Sequence, residues 1–165
     1  MTQTIDYGID LGTTNSCIAQ WEGASVRVFQ NGDQMNVTPS AVHIQKTGQV
    51  IVGRRAYSAL LTDPENVAIE FKRRMGLKDY NPFPAGPQML SAEELSAEVI
   101  KSLRADVRRK TGADVSAAVL TIPTNCDVLQ CEATARAAAL AGLDEAPLLQ
   151  EPPDSTPEID VCAGI

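Results

Sequence analysis

The feature that constrains this chain most is a short polar turn set between two apolar runs near its start. Thr4 to Asp10 and Ser16 to Trp21 are rich in the Ile, Tyr and Cys that strands favour, and the turn-forming Gly12-Thr13-Thr14-Asn15 lies between them. Strands joined this tightly pair antiparallel, because a parallel return needs a crossover of a dozen residues or more. Glu22-Gly23 is a second turn, Val26 to Phe29 a third short strand, and Asn31-Gly32-Asp33 punctuates its end. The opening therefore reads as an antiparallel meander.

The turn also carries chemistry. Asp10-Leu11-Gly12-Thr13-Thr14-Asn15-Ser16 sets a carboxylate at a strand end, then a glycine, then four side chains bearing hydroxyl or amide groups. Glycine lets the backbone bend sharply, so that successive N–H groups face one concavity and receive phosphate oxygens, with Thr hydroxyls as further donors. Asp10 at the edge suits ordered water around Mg²⁺, an ion that prefers oxygen ligands and keeps several waters. The same residue types also serve a purely structural hairpin, since strand-ending Asp and turn Gly often occur together. The run matches neither a Walker A loop nor the Rossmann glycine fingerprint.

Further along, Ala41 to Ile44 and Val50 to Val52 flank Lys46-Thr47-Gly48 as a second hairpin. Arg54 to Leu61 reads as a short helix ended near Asp63-Pro64, and Val67 to Met75 as another helix stopped by Gly76. Asn81 to Pro87 is a proline-rich connector. Ser91 and Glu94 have capping-box spacing, and Leu95, Val99, Ile100, Leu103 and Val107 recur at helical intervals as far as Gly112. Ala117 to Ile122 is an apolar strand, Asp127 to Leu140 an Ala-rich helix stopped by Gly142, and Pro147 to Leu149 a last strand, which together predict a parallel crossover. The stretch from Pro152 to Ile165 is assigned no regular structure.

A chain of 165 residues with 44% hydrophobic content and few aromatics suits one folded α/β domain built on Val, Ile, Leu and Ala. A formal charge of −7 repels a long phosphate backbone, so nucleic acid is not an expected partner. The start lacks the pattern of a secretory signal, and no run reaches the roughly 18 apolar residues of a membrane span, so a soluble, cytoplasmic protein without a membrane partner is expected. The cysteines, Cys17, Cys126, Cys131 and Cys162, are then expected as reduced thiols. Cys126 and Cys131 form C-x4-C, but no nearby Cys or His pair completes a zinc site.

Tyr7 to Cys17 resembles the first phosphate loop of the DnaK-type 70-kilodalton heat-shock chaperones, within the actin and sugar-kinase superfamily. Four further stretches agree in order, namely Thr38-Pro39-Ser40, Val52-Gly53, Phe71 to Gly76, and Ala141-Gly142-Leu143 followed by Leu149-Gln150-Glu151-Pro152. The resemblance covers residues 4 to 152 and implies the N-terminal lobe of a chaperone ATPase domain. The implied fold is α/β, a ribonuclease H-like (actin-like ATPase) mixed sheet flanked by helices with a small inserted α+β lobe. Residues 1–40 and 115–151 would form the core of the lobe, 41–114 an abbreviated insertion, and 152–165 an irregular tail.

By position, Asp10 is similar to the family's metal-water carboxylate, and Gly12, Thr13, Thr14 and Asn15 to its phosphate-holding residues. Lys72 resembles the lysine that reaches from the inserted lobe toward the γ-phosphate, and Glu151 the second acid near magnesium. The implied cofactors are ATP or ADP with Mg²⁺, and the implied reaction is ATP hydrolysis, which rests on positioned water and cations that offset phosphoryl charge. The implied partners are a second ATPase lobe, a peptide-binding domain, unfolded client proteins and co-chaperones. Self-association through the lobe face left open is a further expectation.

The sequence also departs from the family. The second glycine-rich loop, the adenosine-binding segment and the peptide-binding domain are not among these residues, so half a site and no turnover by this chain alone are expected. Pro153 and Pro157 interrupt the helix that normally follows the Glu-Pro pair. Asn125-Cys126 stands where the family has two aromatics, and Cys131 and Ala135 where it often has basic residues. Two other readings follow: a non-enzymatic interaction module that keeps the fold, and a sugar-kinase or actin-like protein. The Thr-Thr-Asn-Ser form of the loop and the Lys72 segment point away from the latter.

Overall fold

The structure is a computed structural model that describes residues 4–82 and 89–151. Strand β1 (Tyr7–Leu11) turns tightly into β2 (Asn15–Trp21), and β3 (Val26–Val28) continues the antiparallel meander on the far side of β2. A two-residue strand, β4 (Thr38–Pro39), returns to pair with the start of β2. The opening is the meander that its alternating apolar residues and turns predict.

Next, β5 (Ala41–Ile44) and β6 (Val50–Val52) make the second hairpin, followed by α1 (Arg54–Ser58) and a 3-10 turn at Ala59–Leu61. The expected helix from Val67 to Met75 is not formed. Instead Val67–Ile69 is a strand, β7, that pairs with the free edge of β5, His43 opposite Val67. Two β-branched residues beside an unpaired strand edge gain more from a ladder than from a single helical turn. Glu70, at φ 53, then turns the chain into a 3-10 segment at Phe71–Arg74, and Gly76 ends it at φ 83. In the connector, Asn81–Pro82 (β8) pairs with Met89–Leu90 (β9), a minimal strand pair; the rest of the connector lies outside the described residues.

Helix α2 (Ala92–Thr111) begins where the capping box predicts. The Glu94 amide donates to Ser91 Oγ at 3.2 Å, the Ser91 amide to Glu94 Oε2 at 2.8 Å, and Gly112 closes the far end at φ 75. Its face of Leu95, Val99, Ile100, Leu103 and Val107 is buried in one core with Ile9, Leu11, Ile18 and Leu120. Strand β10 (Val119–Ile122) lies parallel to β1, helix α3 (Val128–Leu140) follows, and β11 (Leu148–Gln150) lies parallel to β10. The main sheet thus runs β11-β10-β1-β2-β3, with a parallel half and an antiparallel half. This is the α/β, ribonuclease H-like arrangement expected from the sequence.

Helix α3 has its own capping box, Asp127 with Gln130, and presents buried Ala133, Ala137 and Ala138. These small side chains let it pack close to α2, and Arg136 donates to the mostly buried Glu93 carboxylate at 3.0 Å. The single histidine, His43, is buried in β5 with its Nε2 3.0 Å from Asp63 Oδ2. Cys126 and Cys131 are free thiols, as expected, whereas Cys17 is disulfide-bonded and so departs from the expected reduced thiol. Among the described residues no cluster of three or more His, Cys, Asp or Glu could hold a metal, and no helix is long and apolar enough to cross a membrane. The irregular tail expected at 152–165 lies outside the described residues.

Candidate functional site

Strands β1, β10 and β11 are mutually parallel, so their C-terminal ends meet at one edge of the main sheet. Ligands of open α/β sheets bind at that edge. The β1–β2 turn opens there. The last rung of the hairpin is Leu11 opposite Ser16, which leaves Gly12, Thr13 and Thr14 outside the ladder. Asn15 and Ser16 already belong to β2 and pair with Pro39 and Thr38. The free cup is thus three residues long, shorter than the seven-residue motif around it.

Gly12 cannot be replaced at no cost, because a Cβ there would stand 2.0 Å from the Asn15 carbonyl oxygen. The bend is braced from β4 and the residue after it. Ser40 Oγ donates to the Gly12 carbonyl at 2.8 Å and lies 2.9 Å from Ser16 Oγ, while the Ser40 amide donates to the Thr14 carbonyl at 2.8 Å. Ser16 and Ser40 are both buried, so these bonds hold the turn where water does not compete. Thr14 and Asn15 stay exposed and Thr13 half-buried.

Lys72 enters from the 3-10 segment, whose first residue, Phe71, is buried and anchors it. Its Nζ donates to the Leu11 carbonyl, at the lip of the turn. Burial pulls the ammonium below the ordinary lysine range, and the charges of Asp10, Glu151 and Cys126 partly offset that. Asp10 sits on β1 with Oδ1 accepting from Thr121 Oγ1 of β10 at 3.0 Å. Glu151 directly follows β11, its amide donating to the Ile122 carbonyl at 2.9 Å. The sheet order therefore gathers Asp10, Glu151 and the Gly12–Thr14 turn at one edge, and the bond from Lys72 to the Leu11 carbonyl brings the ammonium to the same place.

Three contributors are not legible along the sequence. Ser40 stood in the Thr38-Pro39-Ser40 motif without a role, yet it is the residue that braces the turn. Thr121 reads only as part of an apolar strand, and its bond to Asp10 follows from strand order, which spacing along the chain does not show. Cys126 lies close enough to Lys72 for each to shift the other's titration.

The model of one protein family, described as Hsp70 protein, matches residues 6–85 and 83–155 of this chain. The chain belongs to the Hsp70 family. That membership accounts for the mixed sheet flanked by helices as part of a chaperone ATPase domain, and Hsp70 proteins bind nucleotide. The Hsp70 match spans the turn, the Lys72 segment and Glu151 alike, so every residue of the candidate site lies within the matched sequence.

Proposed function

We propose that this chain supplies one lobe of an Hsp70 ATPase unit and with it the Mg²⁺- and phosphate-facing half of the nucleotide site that drives protein folding. The observation that carries the reading is the convergence of Lys72, Asp10 and Glu151 on the Gly12–Thr14 turn. The residues fit the group. Two carboxylates suit a hydrated Mg²⁺, the open turn offers amides and hydroxyls to phosphate oxygens, and a desolvated ammonium interacts strongly with anionic oxygens.

When bound, Mg²⁺ offsets charge on the phosphate oxygens. The chain's own residues do the rest. Gly12, Thr13, Thr14 and Asn15 would hold the β- and γ-phosphates, and Asp10, aimed by Thr121, would order water with Glu151. Lys72, already desolvated, would move from the Leu11 carbonyl to the phosphate and position the attacking water. The adenosine contacts and turnover belong to the complete domain, and clients and co-chaperones to the complete protein.

The test is amide resonance mapping of the labelled chain titrated with Mg-ATP in the millimolar range. Perturbations centred on Gly12 to Asn15, reduced in Lys72→Ala, are expected. Shifts centred elsewhere, or unchanged by Lys72→Ala, would remove the assignment. In the complete ATPase domain the same substitution should abolish most ATP turnover.

A further inference from the structure

We propose that Cys126 and Cys131 form an oxidisable dithiol, closed to a disulfide by hydroperoxides, at the edge of the sheet that carries the phosphate turn. Their sulfurs lie 3.0 Å apart, both thiols are free, and both are only half-buried, so a small oxidant can reach them. A disulfide holds its sulfurs at about 2.05 Å, and closure therefore asks them to approach by about 1 Å.

The backbone on either side is fixed in place. The Cys126 amide donates to the Pro123 carbonyl at 3.1 Å, and the Cys131 amide makes the first α-helical bond of α3, to Asp127 at 3.0 Å. Between them the Asp127–Gln130 capping box, with bonds of 2.8 and 3.3 Å, locks the turn that separates the two cysteines. The pair is thus pre-positioned by a helix start, and five residues of free chain would rarely bring two sulfurs so close.

Burial, and then the bond to Cys131, push the Cys126 thiol up to about 11, so it stays protonated at neutral pH and acts second. Cys131 sulfur attacks one oxygen of hydrogen peroxide, the O–O bond breaks, and the departing hydroxide takes the thiol proton as water, leaving a sulfenic acid. Cys126 sulfur then attacks the sulfenic sulfur, and the S–O bond breaks as the S–S bond forms. The leaving hydroxyl takes the Cys126 proton as a second water. The two sulfurs together lose two electrons and the peroxide gains them.

The experiment uses the full chain and hydrogen peroxide, with alkylation and tryptic mass mapping afterwards. Residues 111–136, between Lys110 and Arg136, carry both cysteines on one peptide. An unalkylated peptide lighter by two hydrogens is expected, restored to double alkylation by dithiothreitol, and formed at least tenfold faster in the native chain than in urea. Cys126→Ser should instead leave a Cys131 sulfenic acid captured by dimedone. Double alkylation after peroxide, a sulfinic acid without an S–S bond, a link to Cys17 or Cys162, or equal rates in urea would each overturn the proposal, whether or not the variant folds.

Discussion

At the open edge of the main sheet, buried polar side chains hold a turn in shape, whereas in the β5–β6–β7 sheet burial is almost wholly apolar. Ser16, Thr38 and Ser40 are all buried beside the Gly12–Thr14 turn, and two of them bond directly to it or to each other. In the second sheet, Ala41, Val42, His43 and Ile44 are buried in succession, and the one polar member satisfies itself on Asp63. The first region is built to aim backbone groups and the second to support them. A substitution in the first should therefore disturb binding whatever it costs in stability, and a substitution in the second should cost stability and leave binding intact.

Gly12→Ala is expected to have the largest effect, because the new Cβ meets backbone and no side chain can yield. A loss of about 3 kcal/mol in urea unfolding, together with loss of the Mg-ATP perturbation at the turn, is the predicted result. Val42→Ala removes two buried methyl groups from the second sheet. It should lower stability by about 2 kcal/mol and leave the turn perturbation intact, and a variant that lost both would break the comparison. Ser40→Ala strips the brace from Gly12, with an expected loss of about 1 to 2 kcal/mol and a weaker perturbation at Gly12 and Thr14 in particular.

The smallest effect belongs to Asp63→Asn and is visible through pH. Hydrogen bonds from His43, and then from Asn66, hold the Asp63 carboxyl below its ordinary value of 3.8. A depressed carboxyl adds stability above the unfolded value and loses it as pH falls through the folded one. Thermal melts should therefore show the native chain losing more between pH 5 and pH 3 than Asp63→Asn. Equal slopes would sever the His43–Asp63 link.

The sequence made the capped helix and the first hairpin legible because their signals are local. Ser91 and Glu94 satisfy each other within one turn, and Gly12 to Asn15 can only bend. The strand at Val67–Ile69 is not legible because its reason lies across the sheet, in the free edge of Ala41–His43, so no periodicity within the segment reports it. The candidate site divides in the same way. Asp10 and the turn are contiguous and were found from residue types. Lys72 and Glu151 came only from family resemblance, since nothing along the chain ties a lysine 62 residues downstream to Asp10, and Ser40 and Thr121 needed coordinates.

One further consequence follows from the burial of Ile9 and Leu11 on either side of Asp10. Because neighbours along a strand point to opposite faces, a slip of one residue between β1 and β10 would bring the carboxylate into the oily interior and push an aliphatic chain out toward water. The direction of the acid is thus keyed by the two hydrocarbon side chains that flank it. Substitution at Ile9 or Leu11 should therefore disturb the aim of Asp10 as well as the stability of the sheet.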